Sequence, residues 1–376
     1  VMEAAGGIDF LVRVAERIIR ANPKYVTIVA PLTTWTFTFV AGTGHIVYPL
    51  LPVIYETAHR SGIRPERPMA VATIASQQAI TASPVAAATA AMIGLFAEKG
   101  MTQWGLPQIL MVCVPATLTG VVAAAIVSMF VGKDLKDDPE YQARLAAGQI
   151  PAPQADTSRT PLKPGARLSA FIFLAGVALV VLFGFFPSLR QLPGAKSPLA
   201  MPIVIEILMM SVAAIMLLVT KVAVDEVPKT ATLRAGVVAV IGIFGLAWLG
   251  DSFIAANKDV IVPAIGDWAK VAPWTFAFGL FLASVLLYSQ AATTRALMPL
   301  GIALGIPPQF LIAMFPSVNG YFFIPTYGSL IAAINFDLSG TTKIGKYVLN
   351  HSFMIPGLVA TSVAVFTGLA IARVIF

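Results

Sequence analysis

Charge is what this sequence has least of. Asp, Glu, Lys and Arg make up 11% of its 376 residues, against roughly 25% in an ordinary soluble domain. A soluble protein so poor in charge could not cover its surface. Cysteine is nearly absent as well: Cys113 is alone, which excludes a disulfide within the chain and a cysteine metal cluster. Histidine occurs three times, and no His-Glu-x-x-His or Gly-x-Ser-x-Gly pattern accompanies it. An intramembrane hydrolase built on Ser83 or His45 would therefore lack its usual machinery. No catalytic residue, metal ligand or cofactor is implied.

What the chain has instead is apolar length. Hydrophobic residues reach 57%, and stretches near the 20 residues needed to cross a bilayer recur. They fall near 26–50, 68–97, 106–131, 169–187, 200–220, 235–250, 274–300, 309–335 and 347–375. The expected fold is an all-α polytopic membrane protein. Ahead of them, Asp9, Arg13, Glu16, Arg17 and Arg20 mark one face of an amphipathic surface helix.

The net charge of +7 does not point to nucleic acid, because the basic residues sit between apolar segments. Lys and Arg accumulate on the cytoplasmic side of a membrane. If the chain alternates sides and two segments are re-entrant, 18 of the 25 Lys and Arg fall on one face and 6 on the other, with Arg295 left inside an apolar segment. This places 133–168 in the cytoplasm and the C-terminus outside. The 133–168 stretch opens Lys-Asp-Leu-Lys-Asp-Asp-Pro and reads as a polar connector whose charges form a solvated face.

The two ends echo each other at a separation of about 241 residues: Ser76, Pro84 and Pro115 fall on Ser317, Pro325 and Pro356. The expected units are a first membrane repeat at 1–132, the connector at 133–168 and a second repeat at 169–376. The counterpart of the first amphipathic stretch is 251–272. It is not basic, as opposite membrane faces require, so the repeats are expected to be inverted. Inverted repeats with re-entrant hairpins and broken helices are the ion-transporter-like pattern that points to a midplane site.

Four polar interruptions mark that site: Gly42-Thr43-Gly44-His45, Ser76 to Pro84, Tyr288 to Arg295, and Asn319-Gly320 through Thr326-Tyr327-Gly328. Gly and Pro loosen the helix ladder there. Open backbone survives in a membrane only where protein or a water-filled cavity satisfies it. Exposed helix N-termini bind anions, and the hydroxyls and amides of Ser76, Gln77, Thr81, Ser83, Ser289, Gln290, Thr293 and Thr294 add neutral groups. For any single hydroxyl the competing reading is helix packing. Arg295, a cation at membrane depth with no acid in its own segment, is expected to meet a substrate carboxylate or to snorkel outward. His45 reads as a hydrogen-bonded core histidine, a proton carrier or a substrate donor.

The runs AGTGHIVYPLLPVIYETA and GIRPERPMAVATIASQQAITASPVAAA resemble the anaerobic C4-dicarboxylate exchangers of bacteria, the Dcu family. So do AWLGDSFI, LLYSQAATTRALMPL, GYFFIPTYGSLIAA and FDLSGTTKIGKYVLNHSFMIPGL. The similarity extends over essentially the whole chain, and the GTGH and RPERPMAVA wording resembles the B-type branch. The resemblance implies exchange of fumarate, malate or aspartate for succinate across the bacterial inner membrane, with no chemistry on the substrate. Family members carry about two further helices before the position of Val1, so the chain is expected to be N-terminally incomplete. Partners are dicarboxylates and the lipid bilayer, with homo-oligomer formation and a sensory partner left open. A dicarboxylate/proton symporter and an anion channel are the alternatives, and counterflow separates exchange from conduction.

Overall fold

The computed structural model describes residues 1–150, 161–195, 197–230 and 272–376, with scattered positions between 232 and 259. Among the described residues the regular structure is helical, apart from one isolated antiparallel bridge between Ile344 and His351. The expected segment 235–250 and the amphipathic stretch 251–272 lie mostly outside the described residues.

The chain is a polytopic membrane protein. Among the described residues, five apolar stretches are long enough to span: Glu66–Glu98, Leu106–Ser128, Ala166–Phe185, Met201–Thr220 and Met354–Ile375. Before them lies α1 (Gly7–Ala21), with Leu11, Val12, Ala15 and Ile19 on its buried face. The expected segments 26–50, 274–300 and 309–335 are broken, and the breaks have local causes. The 26–50 segment is two helices, α2 (Val26–Ala41) and α3 (Val47–Arg60), separated where Gly42 turns left-handed at φ 70°. At 1.5 Å per residue, the 16 residues of α2 reach only about 24 Å, less than the roughly 30 Å hydrocarbon core.

The next stretch is α4 (Glu66–Gln78), a 3₁₀ turn over Ala79–Ala82, an extended step at Ser83, and α5 (Ala87–Glu98). After α6 (Leu106–Ser128), the short α7 (Pro139–Ala146) and the spans α8 (Ala166–Phe185) and α9 (Met201–Thr220), the pattern returns. Helices α10 (Phe276–Leu287) and α11 (Gln290–Ala303) form a second hairpin, hinged at Tyr288. Then come α12 (Pro308–Met314), a 3₁₀ run over Phe315–Phe322 kinked at Asn319, and α13 (Gly328–Phe336). The starts of α5 at Ala87 and α13 at Gly328 keep the 241-residue spacing of the sequence echo.

The last helix, α14 (Met354–Ile375), begins later than the apolar run at 347 suggested. Residues 343–352 are held as a loop because Ser352 Oγ accepts from Lys343 N at 2.9 Å and Gly345 N donates to Asn350 O at 2.5 Å. Pro356 therefore sits in the first turn, where it leaves no hydrogen bond unmade, whereas Pro115 lies inside α6. Helices α6 and α14 pack on each other along their length. Small residues allow it: a β-carbon on Gly120 would collide with the Ala360 carbonyl oxygen.

Lys133, Asp134, Lys136, Asp137 and Glu140 are exposed, as a solvated face requires, but the first part of the connector is also docked. Asp138 caps α7, accepting from Glu140 N at 2.9 Å and Tyr141 N at 3.3 Å, and also pairs with Arg64. Tyr141 is buried with Leu135 and Ile150, and its hydroxyl lies 2.8 Å from His59 Nε2. From the other end of the chain, Ser339 O accepts from Arg144 at 3.1 Å, and Lys343 pairs with Glu140. Residues 133–150 thus strap the first half to the second. The charge pattern could not reveal this, because each partner is distant in sequence.

Burial alone would raise the Asp138 carboxyl, but hydrogen bonds from Arg64 and from the Tyr141 and Glu140 N–H groups hold it below the ordinary carboxylate value. A lowered folded pKa stabilises at neutral pH. That contribution is complete above about 3.9 and is lost as pH falls through the lower folded value. Asp138→Asn keeps the cap, since Asn caps as well as Asp, and replaces the Oδ2 that accepts from Arg64 with an NH₂ that cannot accept. It is expected to speed tryptic cleavage at Arg144 about 10-fold at pH 7, the factor for roughly 1.4 kcal/mol of lost docking. An unchanged cleavage rate would mean that the strap holds without the ion pair.

Candidate functional site

The two hairpin tips are built alike from unlike sequences. In the first, Gly42 takes the left-handed conformation (φ 70°, ψ 12°), Thr43 is extended (φ −143°, ψ 134°), and a helical turn restarts at Gly44. In the second, Tyr288 is left-handed (φ 49°, ψ 23°), Ser289 is extended (φ −150°, ψ 119°), and α11 starts at Gln290. Each extended residue carries a hydroxyl that accepts from the new turn, Thr43 from His45 N at 3.4 Å and Ser289 from Ala292 N at 3.2 Å. The second tip is shorter than expected, because residues 290–295 are already helical once Ser289 has capped them.

Both tips open onto one cavity of about 660 Å³, within the roughly 300–1,000 Å³ of small-ligand sites. Gly42, Thr43, Gly44 and His45 line one side, and Tyr288, Ser289, Gln290, Ala291 and Ala292 another. Between them lie Gln77 from α4, Ala87 and Ala88 from the start of α5, Tyr48 from α3, and Tyr327, which precedes α13. The α5 N-terminus has no side-chain cap, so its first N–H groups remain available. No Asp, Glu, Lys or Arg is among the described lining residues. Helix N-termini and neutral side chains without a carboxylate make a wall suited to anions.

Not all the expected residues reach this wall. Ser76, Thr81, Thr293 and Thr294 turn their hydroxyls back onto the carbonyls of Thr73, Gln78, Ser289 and Gln290 at 2.7–2.9 Å. For these four, the packing reading describes the geometry. Ser83 is buried and lies 3.4 Å from Val85 N. Thr326 meets the Tyr288 hydroxyl at 2.6 Å. Gly320 is pressed against α10, where Ser284 Oγ accepts from its N–H at 2.7 Å. Asn319 stands behind the wall, hydrogen-bonded to Gln290 at 3.1 Å.

Arg295 needs correction. Its Nη1 lies 2.8 Å from Glu98 Oε1, at the end of α5, and the residue does not line the cavity. The countercharge comes from the protein, 197 residues away, and Glu98 is exposed, so the pair has the outward reach of the snorkelling reading and needs no substrate carboxylate. Sequence reasoning missed Tyr48 and the start of α5, and marked Tyr288 only as the first residue of the third interruption. Tyr288 stacks on Tyr327 at 6.2 Å, and His45 on Tyr48 at 5.8 Å. For Tyr48 the available signal was its place just after the Gly42–His45 break; Tyr288 has no glycine near it.

Two helical hairpins and two broken helices surround a ligand-sized cavity whose described lining is neutral, an arrangement suited to a membrane carrier. The family model described as "Anaerobic c4-dicarboxylate membrane transporter" matches residues 1–376, and the chain belongs to that family. It is 41% identical over 368 residues to "C4-dicarboxylate transporter DcuA" of Escherichia coli strain K12, covering 98% of this chain and 84% of the relative. It is 39% identical over 375 residues to "C4-dicarboxylate transporter DcuA" of Wolinella succinogenes, covering 100% and 85%. It is also 38% identical over 369 residues to "Anaerobic C4-dicarboxylate transporter DcuB" of Escherichia coli O6:H1, covering 96% and 82%. These identities do not single out the B-type branch. No solved structure matches the chain.

Proposed function

We propose that this chain exchanges C4-dicarboxylates one for one across the bacterial inner membrane, taking in fumarate, malate or aspartate and releasing succinate. The observation that carries the reading is the neutral cavity walled by both hairpin tips. Donors from Gly44, the α11 turn and the uncapped start of α5 would hold the carboxylates, with Thr43 and Ser289 fixing the tips. Side-chain amides and hydroxyls complete the set. A wall whose described residues carry no fixed charge favours release as well as binding, which an exchanger needs on both faces.

In this reading the hairpins are re-entrant, since none of their limbs is long enough to cross the membrane, and the two repeats are inverted. Residues 1–132 and 169–376 would rock, or move as an elevator, around the shared site, with the connector in the cytoplasm. Orientation is tested by impermeant thiol labelling of single cysteines from outside. Phe376→Cys should react and Gln149→Cys, at an exposed connector position, should not; labelling at 149 in intact cells would reverse the orientation.

The site itself is tested by counterflow of labelled succinate in proteoliposomes, normalised to folded protein. Thr43→Ala with Ser289→Ala removes both tip caps, each worth about 1 kcal/mol. The pair is expected to weaken succinate affinity at least 10-fold. Arg295→Ala, which breaks only the Glu98 pair, is expected to change affinity less than about 3-fold, as exposed pairs contribute little. Near wild-type affinity in the double variant would remove the tips from the binding site.

A further inference from the structure

Behind the cavity runs a chain of carboxamides joining the two halves of the molecule. Gln290 Nε2 lies 3.1 Å from Gln77 Oε1 and 3.1 Å from Asn319 Oδ1. Asn319 Nδ2 lies 3.0 Å from the Pro316 carbonyl oxygen and 3.3 Å from Gln78 Oε1. Gln78 Nε2 in turn reaches Thr361 Oγ1 at 2.8 Å. Gln77, Gln78 and Asn319 are almost wholly buried, and Gln290 is 8% exposed.

An amide side chain can be turned over at little steric cost, so its polarity is set by its partners. Here one partner cannot be turned. The Pro316 carbonyl only accepts, so Asn319 must present its NH₂ there and its Oδ1 towards Gln290. Gln290 must then present its NH₂ to Asn319, and the same NH₂ meets Gln77. Gln77 must therefore offer Oε1 to Gln290, which turns its own NH₂ towards the Gly44 tip. A β-carbon on Gly44 would lie 2.6 Å from Gln77 Nε2, so only glycine admits the amide at this approach. No acceptor among the described residues takes up these two N–H groups, and Gln77 lines the cavity.

We propose that Asn319 and Gln290 are positioning residues that lock this amide polarity, so that Gln77 shows the cavity two donors and never its carbonyl. Gln77 is then a specificity-determining residue that selects a carboxylate end of the substrate over an uncharged carboxamide end. The assignment rests on the dicarboxylate reading of the cavity. A carboxylate accepts from these N–H groups with either oxygen and through a full negative charge, whereas a carboxamide has one neutral acceptor and, turned the other way, sets a donor against them. Sites built from buried donors discriminate strongly against ligands that leave those donors unpaired.

The test compares how succinate and succinamate compete with labelled succinate for uptake by the reconstituted full chain. Wild-type protein is expected to prefer succinate by 10-fold or more. Gln77→Met removes the donors, and Asn319→Leu removes the acceptor that orients Gln290 and leaves Gln77 free to turn over. Both are expected to bring the preference close to one. If Asn319→Leu does not fold, Gln290→Met interrupts the same arm and carries the same expectation. Gln78→Met is the control: it is as buried and also bonds Asn319, but lies off the path from Pro316 to Gln77, and should keep the wild-type preference.

Retained preference in Gln77→Met, or in the Asn319 and Gln290 variants, would overturn the proposal. So would an equal loss in Gln78→Met, which would reduce the network to a structural role. Failure of wild-type protein to take up succinate at all would instead defeat the dicarboxylate reading.

Discussion

Gly120→Leu is expected to leave no folded carrier. The Gly120 Cα faces the Ala360 carbonyl so closely that even one methyl group collides with it, and Ala364 closes the same gap at 3.2 Å. Neither neighbour is the end of a flexible side chain, so relief requires α6 and α14 to move apart. That separation would loosen the Cys113–Ile312 contact and the Trp35–Thr117 hydrogen bond, 3.1 Å long, which tie α6 to α12 and α2. Overpacking of a tight core costs about 1–3 kcal/mol, more where backbone must shift, and a whole protein is stable by only about 5–15 kcal/mol. The check is the yield of monodisperse protein after detergent extraction. A wild-type yield with an unchanged melting profile would show that the two helices slide past each other without cost.

The second large effect is expected at the first hairpin tip. Gly42→Val places a β-branched residue in the left-handed region, at about 1–2 kcal/mol of backbone strain. Its Cβ would also lie 2.9 Å from Val85 Cγ2 and 3.1 Å from the Val85 carbonyl. The tip must then pull away from the extended step between the 3₁₀ turn and α5, which opens the cavity on the side where α5 begins. Dicarboxylate counterflow should be abolished while the protein still inserts and extracts normally. Tyr288→Gly makes the opposite change at the other tip. It relieves the backbone but loses the Thr326 hydrogen bond and the Tyr327 stacking, so it should reduce transport only in part. Near wild-type counterflow by Gly42→Val would mean that tip geometry does not govern the site.

The contrast between Gly42 and Tyr288 explains what could be read early. Glycine in an apolar run announces a break, and the first tip was legible residue by residue. A tyrosine in the left-handed conformation announces nothing, so the second tip was placed several residues too broadly, over 289–295. The broken helices were legible because Pro84 and Pro325 interrupt the ladder at matching places. The fates of single hydroxyls were not: Ser76 and Thr293 satisfy themselves on their own helices, whereas Ser289 caps the turn that faces the cavity. Nothing in residue type separates those cases.

The sequence by itself determined the environment and the family. So few charges and so much apolar length leave only a membrane, and long motifs in order leave only one kind of carrier. Where the helices break also follows locally, because Gly, Pro and capping hydroxyls act on backbone within a few residues. What tertiary structure decided is who meets whom. Glu98 takes Arg295, Arg64 takes Asp138, and the Pro316 carbonyl orients Gln77 through two intervening amides. Apart from the short reach from Pro316 to Asn319, these contacts join residues far apart in the chain. Hydrogen bonds and ion pairs depend on ångström-scale placement, and composition and periodicity carry no record of it.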